Sequence, residues 1–129
     1  MNVNDCVCGI IIGEADSEKE AEKLAEAMRN CPHLLFSGTS MNRVYSVYVV
    51  PASKKWWLKI PGTDPNEAGF KRASVHIIDS LTYPAVVNLR LPDKMSDVAP
   101  CGADCSSCPL RSRYACDGCP ATIHFKRRT

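Results

Sequence analysis

The stretch that decides the fold lies in the first quarter of the chain, where residues 6–13 are CVCGIIIG and residues 17–30 are SEKEAEKLAEAMRN. The first is a short apolar run, rich in β-branched residues and ended by a glycine, which predicts a buried strand. The second opens with Ser17 and Glu20, a capping box that predicts the start of a helix. The apolar residues that follow recur at the spacing of one helical stripe: Ala21, Leu24, Ala25 and Met28. The pair Cys31-Pro32 predicts the end of this helix.

Further strands are predicted downstream of this helix, at residues 33–39, 43–50, 54–60, 74–79 and 85–91. The segment 43–50 is apolar on both faces, which indicates a central strand. This order of elements predicts an α+β domain, in which one long helix covers one face of a mostly antiparallel sheet. Residues 92–100 carry two prolines and are interpreted as a linker. The predicted domains are therefore an α+β domain over residues 1–98 and a cysteine-rich segment over residues 99–129.

Length and charge are consistent with one ordinary domain and a small appendage. The chain has 129 residues and a formal net charge of +2. Residues 1–98 contain 11 Lys/Arg and 12 Asp/Glu, a net charge of −1, whereas residues 99–129 contain 5 and 2, a net charge of +3. The beginning of the chain does not have the pattern of a secretory leader, and no apolar run is long enough to span a bilayer. We therefore expect a cytoplasmic protein with no membrane partner.

Five of the eight cysteines lie within one short segment, in the pattern C-x3-C-x2-C-x7-C-x2-C formed by Cys101, Cys105, Cys108, Cys116 and Cys119. Clustering of this kind indicates metal ligands rather than a disulfide framework, because a disulfide network normally spreads across a fold. Each C-x2-C doublet can form a tight turn that points both sulfurs at one ion, and two such turns supply the four thiolates of a structural zinc site. Gly118, inside the second doublet, suits a turn with positive φ.

The same cysteines leave an iron–sulfur cluster open as an alternative. Cys101, Cys105 and Cys108 could grip a cluster together with Cys116 or Cys119, and each doublet is followed by a proline, as in ferredoxin-type sites. Cys101 distinguishes the two interpretations, because it is spare in the zinc site and a ligand of the cluster.

The pattern CGADCSSCP at residues 101–109, with CDGC at residues 116–119, resembles a group of small cysteine-rich proteins of archaea and anaerobic bacteria. These proteins share a C-G-x-D-C-x-x-C-P…C-x-G-C signature. The resemblance covers about 20 residues, and it implies metal binding through these cysteines and a prokaryotic, anaerobic setting. It implies no specific activity and does not extend to the first 98 residues.

The remaining cysteines and histidines are weaker candidates. Cys6 and Cys8 lie two residues apart on a predicted strand and share a face, so we interpret them as core residues, and Cys31 likewise. His124 follows the cluster and could replace one thiolate, although a solvated histidine is the preferred interpretation. His33 and His76 lie beside or within apolar strands and have no visible partner in the sequence.

Aromatic and basic residues suggest a binding surface. On a strand, Trp56 and Trp57 would face opposite sides, which places one in the core and leaves the other beside Lys54, Lys55 and Lys59 as an exposed patch for a nucleic acid or a protein. The basic end of the chain, at residues 124–129, could contact phosphates or could balance the charge of the thiolates.

The sequence therefore predicts a metal-binding accessory or adaptor protein with a structural zinc site and an unidentified protein partner. An iron–sulfur electron carrier or redox sensor is the alternative, and a nucleic-acid-binding zinc protein is the third hypothesis. An enzyme is the least supported class, because the sequence shows no set of residues for acid–base or nucleophilic catalysis. A closed four-thiolate site also leaves zinc no open coordination position for a substrate.

Overall fold

A computed structural model describes residues 5–91, 94–100, 104, 107–108, 113–114 and 116–125 of the chain. Its regular elements, in chain order, are β1 (Cys6–Glu14), α1 (Glu18–Met28), β2 (Leu34–Ser40), β3 (Arg43–Pro51), α2 (Lys55–Thr63) and β4 (Arg72–Ile78). A single 3-10 turn, Ala52–Lys54, leads from β3 into α2.

The four strands form one antiparallel sheet with the order β2-β3-β1-β4. The prediction that residues 43–50 form a central strand is confirmed, because β3 pairs with β1 on one side and with β2 on the other. Since β3 and β4 are both antiparallel to β1, they run parallel to each other. The chain must therefore cross over the sheet between them, as it also does between β1 and β2. Helices α1 and α2 make these two crossovers, which gives the βαββαβ topology of the split, ferredoxin-like type.

The first helix begins where the sequence predicts. Ser17 is the N-cap, and its side chain accepts a hydrogen bond from the backbone N–H of Glu20 at 3.1 Å. The helix α1 is 11 residues long and buries Ala21 against the sheet.

The prediction of a single long helix is wrong, because two short helices cover the sheet. Residues 55–63, most of which were predicted as a strand, form the nine-residue helix α2. The parallel relation of β3 and β4 requires a crossover here, and a local run of apolar residues does not reveal that requirement. In a helix, Leu58 points onto the sheet and is fully buried against β1, where a Cβ on Gly9 would lie 2.9 Å from its side chain.

The prediction of a strand at residues 85–91 is also wrong. This segment does not extend the sheet, and Val87 is buried on the face opposite the helices, against Cys6, Cys8 and Val49. Arg90 donates hydrogen bonds to the carbonyls of residues 29, 31 and 34, near the end of α1. The segment thus covers part of the second face of the sheet, and Arg90 ties it to the chain between the end of α1 and the start of β2.

Residues 94–100, which fall in the predicted linker, lie against the C-terminal segment. The N–H of Ser96 donates to the carbonyl of Ala121 at 3.2 Å, and the N–H of Ile123 donates to the carbonyl of Ser96 at 3.1 Å. Within the part of the chain that the structure describes, neither helix has the length or the apolar composition to cross a membrane.

Candidate metal centre

Three of the five predicted ligands, Cys108, Cys116 and Cys119, lie among the described residues, and each is partly buried. The other two, Cys101 and Cys105, lie outside the described residues. The six described cysteines form no disulfide bond with one another. Across the described ranges, no three His, Cys, Asp or Glu side chains come close enough to hold a metal ion. The structure therefore describes the second doublet completely and does not bring Cys108 together with it as a group of three ligands.

The second doublet contains the positive φ that the sequence predicts for its glycine, whereas the hydrogen-bonded turn of this region lies after it, at residues 119–122. Gly118 has φ of +90°. Its backbone N–H points at the sulfur of Cys116, with 3.4 Å between nitrogen and sulfur. A Cβ at this position would lie 3.0 Å from the carbonyl oxygen of His124, so the close approach and the positive φ both require glycine. The Cys116 sulfur therefore has one backbone hydrogen-bond donor within its own doublet.

The chain beyond the doublet anchors Cys119. Both the backbone N–H and the side-chain hydroxyl of Thr122 donate to the carbonyl of Cys119, each at 2.9 Å. Thr122 is 2% exposed, and the neighbouring Ala121 is fully buried. This anchor fixes the backbone at Cys119 through its carbonyl group. We refer to residues 116–125 as the knuckle.

His124 lies within this knuckle and is partly buried. Its Nε2 is 3.8 Å from a carboxylate oxygen of Asp97. The histidine therefore faces the segment that precedes the cysteine cluster.

Residues 113–114, which precede the knuckle, contact the sheet domain through α2; together with the knuckle they are called the knuckle region. The ring of Tyr114 stacks on the ring of Trp56 with centroids 4.3 Å apart and planes at 5°. The guanidinium of Arg113 lies 5.4 Å from the centre of the Tyr114 ring. Trp57 faces the core and meets Tyr48 edge to face, at 5.3 Å between centroids. The predicted division into one core tryptophan and one outer tryptophan is correct, but Tyr114 covers a face of Trp56 that the sequence suggested was exposed.

A cavity of about 230 Å³ lies between the sheet domain and the knuckle. The sheet domain contributes His33, Lys54 and Trp56 to its walls, and the knuckle contributes Cys116, Asp117 and Gly118. Pro120 and Phe125 of the knuckle add apolar surface. No local pattern in the sequence predicts this cavity, because segments far apart in the chain, such as those that contain Trp56 and Cys116, meet at its walls.

His33 is the most deeply buried ionisable group on the cavity wall, at 3% exposure. Its Nδ1 lies 3.0 Å from the carbonyl oxygen of Val49. A carbonyl oxygen only accepts, so Nδ1 carries the proton. Burial, and secondly the charge of Lys54, lower the pKa of His33 to about 4, so the ring is neutral at pH 7. Its Nε2 is then an acceptor, and it has no hydrogen-bond partner among the described residues.

The three cysteines of the first part of the chain are core residues, as predicted. Cys6 and Cys8 pack with Val49 and Val87, and Cys31 packs in the core under the helices. Burial raises the pKa of the Cys6 and Cys8 thiols, which favours the protonated form. These two thiols are therefore poor metal ligands compared with the partly buried cysteines of the cluster.

Comparison of the chain with protein-family models, with curated proteins and with solved structures finds no match.

Proposed function

We propose that the chain is a metal-binding accessory protein whose cysteine segment holds one structural zinc ion. The proposed ligands are Cys105, Cys108, Cys116 and Cys119, with Cys101 as the spare thiol. The observation that carries the proposal is the geometry of the Cys116–Cys119 segment, in which a glycine with positive φ directs a backbone N–H at the Cys116 sulfur.

Several features support a structural role for the zinc. Four thiolates fill the tetrahedral shell of zinc, so substrate has no open position and the ion would act by fixing the fold. The guanidinium of Arg113, next to Tyr114, lies in the segment between the two doublets and offsets part of the negative charge of four thiolates. The absence of disulfides among the six described cysteines supports a reducing compartment, and we place the protein in the cytoplasm.

The expected partner is another protein. The knuckle region lies on the outer side of α2, and the metal would hold it there as a rigid surface element. Stacking by Tyr114 reduces the aromatic surface that a nucleic acid could use at Trp56, which weakens the third hypothesis.

The first test is the metal content of protein purified without oxygen, together with its visible spectrum. We expect about one zinc per chain and no colour, as for a closed four-thiolate site. Iron with acid-labile sulfide and absorption near 400 nm would instead identify a cysteine-ligated cluster that uses Cys101. Protein without stoichiometric zinc or iron would contradict both metal hypotheses.

The ligand assignment is tested with Cys116→Ser, which removes one sulfur from the described doublet. We expect the variant to lose stoichiometric zinc, because a hydroxyl does not replace a thiolate at such a site. Cys31→Ala is the matched control, since it also removes a thiol but from the core of the sheet domain. Equal zinc content in Cys116→Ser and in the wild type would show that Cys116 is not a ligand.

A further inference from the structure

The two edges of the sheet differ in how they are protected. An edge strand presents backbone groups without partners, and proteins commonly protect it with charged residues, prolines or covering segments. At one edge, β4 carries Arg72, whose guanidinium lies 3.6 Å from the carboxylate of Glu14. At the other edge, β2 has the sequence LLFSGTS, with no charged residue and no proline. Within the part of the chain that the structure describes, no further strand pairs with the outer side of β2.

The open strand β2 carries an exposed aromatic ring next to an uncovered glycine. The side chain of Phe36 is 60% exposed, and nothing lies within 4 Å of a Cβ placed on Gly38. The two residues share a face of the sheet because they lie two positions apart on a regular part of the strand. An aromatic ring on a neighbouring strand can cover an edge glycine and stabilise the pairing. Phe36 and Gly38 are therefore the two halves of a contact that one chain alone does not complete.

A groove of about 500 Å³ lies between the outer side of β2 and one face of α1. The helix contributes Glu22, Ala25, Glu26 and Arg29, which recur at helical spacing. The two carboxylates lie before the guanidinium of Arg29, which pairs with Glu26 at 3.3 Å. Arg90 donates to the carbonyl of Arg29 and adds a second cation at that end. The groove thus has a negative end at Glu22 and a positive end at Arg29.

This surface is complementary to itself under a twofold axis. Twofold symmetry is the commonest in soluble oligomers, and it brings the same surface of two copies together. An axis perpendicular to the sheet at Ser37 would pair β2 antiparallel with β2 of a second copy. Phe36 of each copy then lies opposite Gly38 of the other. The same axis reverses the direction of α1, so Glu22 of each copy approaches Arg29 of the other.

We propose that the chain forms a homodimer in which the β2 strands of two copies pair antiparallel about Ser37 and join the two sheets into one. The occupant of the groove is a second copy, because β2 supplies both halves of the Phe36–Gly38 contact and α1 supplies charges of both signs in the order that the twofold axis requires. The inference goes beyond the proposed zinc site and does not depend on it, since α1 and β2 belong to the sheet domain.

The first test is the mass of the reduced full-length protein, measured by sedimentation from micromolar to millimolar concentration. We expect a species of twice the chain mass of 14.2 kDa at the upper end of this range. The reductant excludes dimers linked by a disulfide. Chelated protein should give the same result, because both contacts lie in the sheet domain.

The variant Phe36→Lys tests the strand pairing. It places a charge on the edge strand and removes the ring that covers Gly38 of the second copy, so we expect the dimer dissociation constant to rise at least about tenfold. Ile123→Lys is the matched control, because Ile123 is 62% exposed but lies in the knuckle. This control should dimerise as the wild type does.

Charge reversal tests the register of the two helices. Glu22→Arg and Arg29→Glu each place like charges opposite one another twice across the axis, so each should weaken the dimer at least about tenfold. An equimolar mixture of the two variants should dimerise again, because every contact between these two positions then joins opposite charges. Arg72→Glu, a reversal at the other edge of the sheet, is the control and should leave the dimer unchanged.

Three results would overturn the inference. A monomer at every concentration would show that β2 does not pair with a second copy. A dimer that survives Phe36→Lys and both charge reversals would use a different surface, and a mixture that stays monomeric would contradict the proposed axis. The zinc content separates the two proposals: a monomer with stoichiometric zinc contradicts only the dimer, whereas a dimer without metal contradicts only the proposed function.

Discussion

The sheet domain and the knuckle are stabilised by different physical means. In the sheet domain, two clusters of buried apolar side chains lie on the two faces of a four-stranded sheet, and Leu58, Val49 and Val50 are fully buried. The knuckle has no regular helix or strand among its described residues, and a few backbone hydrogen bonds and Thr122 hold it. Burial of apolar surface can stabilise the first region alone, whereas the second requires another source of free energy.

This difference explains why metal ligands lie in one region and core cysteines in the other. A segment of about thirty residues is below the size at which a hydrophobic core suffices, and such segments usually depend on metals or disulfides. Binding of structural zinc supplies folding free energy directly, in the range of about 10 to 16 kcal/mol for small zinc peptides. The comparison predicts that each region responds to its own class of substitution.

The largest effect of a single substitution is expected for Leu58→Ala in the sheet domain. We expect a loss of about 2 to 5 kcal/mol in the free energy of unfolding, because the change leaves a cavity between α2 and β1. Denaturant unfolding of the variant measures this loss, and Leu35→Ala is the control because Leu35 is 43% exposed. The folded variant should retain one zinc per chain. Reduced zinc content in folded Leu58→Ala would contradict the separation of the two regions.

The second effect concerns the pH dependence of the sheet domain. The pKa of His33 is lowered from 6.5 to about 4 in the folded chain, so between these values the unfolded chain binds more protons. The contribution of the neutral His33 ring to the free energy of unfolding is therefore complete above about pH 6.5. It falls by about 3 kcal/mol as the pH drops to 4. Unfolding of chelated protein at several pH values measures this slope.

His33→Asn should flatten that slope, because the variant has no ring to protonate. His76→Asn is the control, since His76 is exposed on β4. A slope that survives in His33→Asn and disappears in His76→Asn would contradict the assignment.

The third expected effect is on zinc affinity, and it distinguishes the backbone geometry of the knuckle from the identity of its ligands. Gly118→Ala keeps every cysteine but places a Cβ at positive φ and 3.0 Å from the His124 carbonyl oxygen. The positive φ alone costs about 1 to 2 kcal/mol, so zinc affinity measured against a competing chelator should fall about tenfold or more. Gly38→Ala is the matched control, because nothing lies within 4 Å of a Cβ there and its φ is not in the left-handed region. Unchanged affinity in Gly118→Ala would mean that this doublet does not form the metal site.

The smallest effect tests the contact between the two regions. Tyr114→Ala removes the stacked ring from Trp56, and such aromatic pairs contribute about 0.5 to 1.5 kcal/mol beyond their buried area. We expect a red-shifted fluorescence of Trp56 and unchanged zinc content. Phe36→Ala, which removes a 60% exposed ring on the edge strand β2, should leave the fluorescence unchanged. Equal spectra for Tyr114→Ala and the wild type would contradict the stacking.

The sequence predicted the local features of the fold well and the non-local ones poorly. The cap at Ser17, the central strand β3 and the positive φ of Gly118 each depend on a few neighbouring residues, and each prediction is confirmed. The helix α2 was missed because its cause is the parallel relation of β3 and β4, which only the assembled sheet reveals. A short apolar run such as 54–60 does not by itself distinguish a strand from a helix.

In the candidate site too, the local features could be predicted from the sequence and the non-local ones could not. The glycine between Cys116 and Cys119 was sufficient to predict the positive φ there, because this property is local, whereas the use of these cysteines as metal ligands stays a prediction. His33 and the cavity could not be predicted, since the burial of Nε2 depends on segments that meet only in the folded chain. The only signal in the sequence was a histidine in an apolar context beside β2.

The most direct test of the central claim compares amide hydrogen exchange in zinc-loaded and chelated full-length protein. We predict that chelation removes protection from the amides of residues 116–125, including the Thr122 amide bonded to Cys119, while the amides of β1 and β3 keep theirs. Loss of protection in both regions together would show that one cooperative core holds them. Protection that persists in the knuckle after complete chelation would show that metal does not stabilise it.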